Sequence, residues 1–483
     1  MRWLATLIGA AATLLTIAPS AGAEDLGDLL VKKGVISQQE LDKFRAEQRA
    51  AAVSTPVATA PAVAAAAAPP GTPTASLDSL VKQAVQSELP DWMKRFKLST
   101  LMYMDWAYYV NTGYGPQLLT QITPPGPGND GFNSFDITRT YINLLWNPSD
   151  RFTIRVTPNI FREVSASSAV NTSNSSQVAT NVNGNLSFRL KYGFLQINNI
   201  FKDLDALKDV PGFTNTNVKV GQFENPLIPW EEDLYGYRFV NLVPLNFLAY
   251  SSTDLGIAIM GPVKYENVRY LDYWLGYYNG SSFHSAEFNE NRSPQGRISA
   301  YPLAMYPGLE NLGASFFMSY GYSNVAPDTP DAVIRRLATL VHYNGKYGAL
   351  AFEYDRTYNE NNFNNFFTGA APRQMINGVT NPLYTLYNSI LNPTAIGEGY
   401  SVFGHINLGD WPFSLFGMWQ RWYPNLNVGN DPLDFDRLVG GVAWQPLSWM
   451  RVALDSQNIM YVNDGDTVPQ DTHAVFTNLE INY

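Results

Sequence analysis

Beyond residue 23 the chain holds no run of about eighteen apolar residues, the length a membrane-crossing helix requires, yet it ends on a segment that is apolar on one side. From His473 to Tyr483 the sequence reads H-A-V-F-T-N-L-E-I-N-Y. Successive side chains of a strand point to opposite faces. Val475, Thr477, Leu479, Ile481 and Tyr483 therefore share one face, and Ala474, Phe476, Asn478, Glu480 and Asn482 the other. A closed antiparallel barrel wetted outside by lipid and inside by water satisfies this pattern without any apolar helix.

The same period recurs from Phe96 onward. Phe96, Leu98, Met102, Met104 and Trp106 alternate with Lys97, Ser99, Tyr103 and Asp105. Phe152, Ile154, Val156 and Ile160 alternate with Arg151, Thr153, Arg155, Thr157 and Asn159. Leu186, Phe188, Leu190, Tyr192 and Phe194 alternate with Ser187, Arg189, Lys191 and Gly193. About sixteen such segments fit into 96–483, an even number in the range of water-filled barrels. The expected fold is all-β: a transmembrane antiparallel β-barrel of about sixteen strands, preceded by short α-helical segments.

Composition agrees. Aromatics make up 13% and charged residues 15% of the chain, where soluble proteins carry roughly a quarter charged residues. The absence of Cys excludes disulfides, Cys-ligated zinc, covalently attached haem and Cys nucleophiles. The net charge of −10 arises wholly within 96–483, which holds 23 basic and 33 acidic residues.

Ahead of the barrel the chain reads in four parts. Residues 1–23 have the charged start, apolar centre and Ala21-Gly22-Ala23 ending of a signal peptide. Residues 24–52 carry helical periodicity, interrupted at Gly34 and restarted by a Ser37–Glu40 capping box. Residues 53–75 form an Ala/Pro/Thr-rich linker. Residues 76–95 return to helix with one apolar stripe, suited either to a coiled-coil seam or to packing beneath the barrel.

The connections provide a separate test. Short turns at Asn147-Pro148-Ser149-Asp150, Gly345-Lys346-Tyr347, Gly409-Asp410-Trp411 and Gln445-Pro446-Leu447-Ser448 alternate with long segments at 111–134, 163–184, 223–252, 279–295, 357–398 and 463–472. Segment 199–216 is too long for its place. This asymmetry matches barrels with short periplasmic turns and long external loops. It places the protein in the outer membrane of a Gram-negative bacterium, in contact with lipid, with its amino-terminal segment in the periplasm.

The third long loop, 223–252, is aromatic and apolar as well as charged, which a loop tip in water would not be. Folded inward, it would narrow a pore, with Glu231, Glu232, Asp233 and Arg238 at the constriction; packing at a subunit interface or capping the barrel outside is the alternative. Parity turns Arg139, Arg155, Arg189, Lys191 and Arg451 to the lumen, where they would guide anions or pair with Asp105, Asp136, Asp272, Glu353 or Asp455. Trp411, Trp419, Trp422, Trp444 and Trp449 read as interfacial girdle residues. No H-E-x-x-H, G-x-S-x-G or phosphate-cradling glycine loop occurs. No enzyme activity, metal, cofactor or nucleic-acid partner is therefore expected.

Ordered short blocks across roughly 220–300 resemble the phosphate-selective porins O and P. Gly221-Gln222-Phe223 followed by Pro226 resembles the family's G-Q-F-x-x-P, and Arg238 occupies the place of a later basic residue. Asp254 and Gly256 look like its D-x-G stretch. Asn279-Gly280 resembles its strand-ending Asn-Gly, and Asn289-Glu290-Asn291 with Arg297 the polar loop next to it. The resemblance implies a homotrimer, an inward third loop, and a terminal aromatic read by the barrel-assembly machinery. Anion-selective members use an arginine ladder and a lysine cluster; here Glu224 and residues 231–233 are acidic instead.

The function expected is passive diffusion of small hydrophilic solutes or ions. Two alternatives differ in partner: the sheath of a conduit around a separate cytochrome, or a barrel tethered to the periplasmic cell wall through 24–90.

Overall fold

The computed structural model describes residues 90–111, 130–164, 182–208, 210–248, 250–283, 287, 290–322, 333–358, 375–376, 379–380, 396–427, 434–462 and 471–483, with Gln38, Gln39 and Asp42. The chain divides into two units, 1–94 and 95–483. In the first, Gln38, Gln39 and Asp42 are helical and the Gln38 amide donates to the Asp42 carboxylate one turn on (3.1 Å). Pro90 opens a single helical turn, α1 (Asp91–Lys94). The signal peptide, the 53–75 linker and most of both amino-terminal helical segments lie outside the described residues.

The second unit is a closed barrel of sixteen antiparallel strands. They are β1 (Phe96–Asn111), β2 (Asn133–Ser149), β3 (Phe152–Val164), β4 (Val182–Ile197), β5 (Asn217–Glu224), β6 (Thr253–Tyr265), β7 (Val268–Tyr278), β8 (Ser293–Ala300), β9 (Gly313–Tyr322), β10 (Val333–Gly345), β11 (Gly348–Tyr358), β12 (Ile396–Asn407), β13 (Phe413–Tyr423), β14 (Phe435–Leu447), β15 (Met450–Tyr461) and β16 (Thr472–Asn482). Strand β16 closes the ring on β1, with Leu101 opposite Asn482 and Thr100 and Tyr483 exchanging both backbone hydrogen bonds. Closure removes both sheet edges.

Seven connections lie at one end: 150–151, 198–216, 266–267, 301–312, 346–347, 408–412 and 448–449. The eight at the other end include 225–252 and 359–395; the latter carries a two-residue hairpin, Met375–Ile376 with Val379–Thr380. The turn at 266–267 works because Glu266 and Asn267 both take positive φ (48° and 66°), as a tight hairpin of the right twist requires. The long 198–216 connection folds on itself through Phe201 packed edge-on against Phe213 (4.9 Å).

Facing follows the alternation. On β16, Ala474, Phe476, Asn478 and Glu480 are buried inside while Thr477 is exposed outside. Phe135 and Phe188 stand outward at 79% and 70% exposure, an arrangement suited to lipid and costly in water. One expected face is reversed. Thr157 pairs with Tyr192 but Pro158 pairs with Leu190, so Lys191 is an extra residue in β4. This bulge turns Tyr192 and Phe194 inward, both buried, against the simple alternation. Trp422 is a second correction: it is 3% exposed and faces inward. Its indole lies over Gly397 and Gly399, where any Cβ would meet it at 2.5 Å.

Candidate functional site

The third long connection begins at 225, because Phe223 and Glu224 finish β5. It folds into the barrel and carries α2 (Ile228–Tyr235) and α3 (Pro244–Phe247). Asn225 starts α2 by accepting from the Leu227 and Ile228 amides (2.9 and 2.8 Å). Gly236, in the left-handed region at φ 76°, stops it by donating to the Glu232 carbonyl (2.8 Å), the usual end for a helix with glycine at that place.

The loop's apolar side is buried. Leu227, Ile228, Leu234, Tyr235, Phe239, Val240 and Val243 pack against inward side chains of the wall. Small inward residues (Ala338, Ala349, Ala351, Ala443 and Ala453) clear the space. Tyr237 stacks on Phe416 at 4.4 Å and 20°.

Six wall side chains then grip the loop's main chain. Arg297 Nε donates to the Pro226 carbonyl (2.7 Å), Arg451 Nη1 to Gly236 (2.8 Å) and Arg437 Nη2 to Leu242 (2.5 Å). Gln457 Nε2 donates to Val240 (3.0 Å) and Gln420 Nε2 to Pro244 (3.5 Å). His405 Nδ1 lies 3.0 Å from the Tyr235 carbonyl; a carbonyl only accepts, so that nitrogen carries the proton. These donors come from β8, β12, β13, β14 and β15. Inward arginines on that half of the barrel are thus engaged in holding the loop.

The family-like residues frame the loop's base. Gly221 sits at φ 124°, and a Cβ there would meet the Gly193 carbonyl oxygen at 2.4 Å. It pairs with Gly256 on β6, where the same addition would strike the Tyr277 carbonyl oxygen at 2.4 Å. Phe223 is fully buried between Phe194 and Tyr278. Gln222 Nε2 donates to the Leu190 and Lys191 carbonyls at the bulge. Asp254 accepts from the Gly280 amide (2.7 Å), and the Asn279 amide bonds the Leu255 carbonyl (2.9 Å), so the turn after β7 is fixed to β6.

The four constriction candidates part company. Glu231 is fully buried behind the loop, in the company of Glu353 and Asp355, and among the described residues no basic, amide or hydroxyl donor reaches its carboxylate oxygens. Burial, and then Asp355, push its carboxyl well above the ordinary range. Glu232 accepts from Arg238 Nε (2.6 Å). Asp233 is exposed yet flanked by protein, and burial together with Glu232 and Glu224 raises its carboxyl to about 6.

The basic candidates also divide. Arg139 lies over Tyr103 and Tyr141 (5.3 and 4.9 Å). Arg155 lies over Tyr192 (4.3 Å) and bonds Asn143 (2.8 Å), with Glu224 at 3.9 Å. Arg189 and Lys191 both face the Phe283 ring (4.8 and 4.0 Å), and Lys191 Nζ donates to Ser252 Oγ (2.6 Å). Lys219, missed although it alternates with Val218 and Val220, reaches Glu224 at 3.0 Å. These five occupy β2–β5. Arg451 belongs to the other group: it pairs with Glu480 and holds the loop. Of the acids expected to neutralise the basic residues, Asp455 instead accepts from Gln457 and Asn478, and Asp272 pairs with Arg269.

The chain matches no family model, and it matches no curated protein. Among solved structures it is similar to the outer membrane channel DcaP of Acinetobacter baumannii (8% identity, TM-score 0.48), covering 80% of this chain and 97% of that one. Salmonella typhi OmpF gives 11% identity and a TM-score of 0.48 over 80% and 97% of the two chains. The trimer form of OmpT of Vibrio cholerae gives 10% and 0.41 over 80% and 99%. Likeness at this level does not identify the chain, and the barrel stands on its own strand pairing.

Proposed function

We propose that this protein is an outer-membrane channel for passive diffusion of small hydrophilic solutes or ions, filtered where loop 225–252 crosses the lumen. The observation that carries this reading is the loop itself: its apolar side and six main-chain carbonyls are committed to one half of the wall. Its Glu232, Asp233 and Arg238 are left for the other half. There Arg139, Arg155 and Arg189 line β2–β4, with Lys191 and Lys219 buried beside them. A permeating ion would lose part of its hydration between these groups and regain it from fixed charges and dipoles.

The apolar outer face argues for lipid around the barrel, and the long connections for an external end opposite the periplasm. A homotrimer, recognition by barrel-assembly machinery, and a periplasmic amino-terminal extension belong to the same proposal. The resemblance to phosphate-selective porins rests on the blocks around the loop, and the acidic Glu232 and Asp233 weigh against a purely anionic filter. A cytochrome enclosed by the barrel would have to displace the loop, so the diffusion reading is preferred.

Planar-bilayer recording of the folded protein tests it. Stepwise conductance is expected, and reversal potentials in a salt gradient should shift toward anions in Glu232→Gln and Asp233→Asn. A folded barrel without conductance would refute the channel; unchanged selectivity in both variants would refute the constriction.

A further inference from the structure

Charge on the outward face of a barrel is costly in lipid, and on β8–β16 the described outward charges gather in one place. Arg335 (β10), Arg356 (β11), Glu398 (β12), Arg421 (β13) and Asp436 (β14) all lie close to the strand ends that meet long connections. Pairing makes them neighbours: Arg335 is opposite Tyr320 and Tyr358, Arg356 opposite Glu398, and Arg421 opposite Asp436.

Arg421 is matched, with Nε 2.6 Å from Asp436 and Nη2 on the second carboxylate oxygen. Arg335 is not, and Arg356 is matched only loosely. Among the described residues no carboxylate pairs with Arg335. Arg356 has only Glu398, at 3.7 Å, and that carboxylate already accepts from the Tyr354 and Tyr400 hydroxyls (2.8 and 3.2 Å). Both guanidiniums flank one ring, Tyr358, at 6.0 and 5.5 Å from its centroid. Two positive charges near one aromatic ring concentrate charge that is only partly compensated, and an anion within reach of both would complete the compensation. Planar forked donors suit phosphate oxygens. The site stands on the outside of the wall, level with Tyr320, Tyr322, Tyr400 and Tyr423, where a lipid headgroup sits and a permeating solute does not.

We propose that Arg335 and Arg356, astride Tyr358, bind the phosphate of an anionic lipid headgroup in the leaflet at the long-connection end. This rests on the membrane-channel reading above.

The test uses the full chain in phosphatidylcholine nanodiscs. These are doped with lipid A, a phosphorylated glucosamine lipid, or with its dephosphorylated counterpart, and retained lipid is read by native mass spectrometry. Preferential retention of the phosphorylated lipid is expected, with retention about tenfold weaker in Arg335→Gln, one charge-assisted contact's worth. Arg335→Lys should recover only part of it. Arg335→Gln breaks no ion pair, so it decides the matter should Arg356→Gln fail to fold. Equal retention of the two lipids, or undiminished retention by Arg335→Gln, would overturn the proposal. So would efficient cross-linking of Arg335→Cys to a second copy, which would assign the patch to a protein interface. Channel conductance recorded in parallel keeps the outcomes apart: a protein that retains lipid A but does not conduct refutes the channel and leaves the lipid site standing.

Discussion

Replacing Arg451 with Met should loosen the constriction loop without collapsing the barrel. Its guanidinium donates to the Gly236 carbonyl at 2.8 Å and to both Glu480 oxygens at 2.8 and 3.0 Å. It also lies 4.7 Å from the Phe239 ring. A hydrogen bond to a charged group contributes roughly 1.5–3 kcal/mol. Stranding Glu480, whose side chain is 10% exposed, adds a cost that brings the total to about 3–4 kcal/mol, at the low end for a broken buried pair because Arg451 is partly solvated. Arg451→Met/Glu480→Gln removes the stranded charge and leaves about 1.5–3 kcal/mol for the loop contact alone. That corresponds to a roughly 10- to 150-fold rise in the population of loop detached from β15. Open-channel current noise in planar bilayers reads this population, and heat-dependent gel mobility reads barrel stability. Both variants should show increased flicker, with stability partly restored in the double variant. Should the noise match wild type in both while stability falls, the contact stabilises the wall only and the anchoring account is wrong.

Three further outcomes are expected. Because the Asp233 carboxyl is raised to about 6, its negative charge develops as pH rises through 6; cation preference should rise over the same interval, and reversal potentials of Asp233→Asn should lose that component. Gly221→Val places a side chain on the Gly193 carbonyl oxygen at positive φ, and should give no heat-resistant folded band on a gel. Gln222→Leu leaves the Leu190 and Lys191 carbonyls without their side-chain donor, and a loss of roughly 1–3 kcal/mol in denaturant titration is expected.

Much of the barrel was legible because its signal is periodic and redundant: a strand that alternates over eleven residues declares both its type and its faces. The inward third loop was legible for a different reason, since seven or more large apolar groups in one connection need a wall to pack on. What failed was local. Nothing in S-F-R-L-K-Y-G-F announces that Lys191 is an extra residue, because a bulge leaves composition unchanged and only shifts the parity of the residues after it. Trp422 was misplaced because a tryptophan near a strand end fits a girdle equally well; the two glycines that receive it, Gly397 and Gly399, sit on the neighbouring strand, far from it in the sequence. Glu231 illustrates the limit of adjacency. Three successive acids look alike in a sequence, but two helical residues, a rotation of about 200°, send Glu231 behind the loop while Asp233 stays on the exposed side.

The six wall contacts all end on main-chain carbonyls, and a carbonyl is present whatever residue carries it. These six hooks therefore do not read the loop's side chains. Asp233 can be exchanged alone, and the Glu232–Arg238 ion pair exchanged together, to retune what passes while the latches go on holding the same backbone, so filter chemistry and filter position are separately adjustable. A lineage, or an engineer, seeking a channel for a new solute could rewrite the exposed positions of this loop freely, provided the apolar residues on its buried side were left alone.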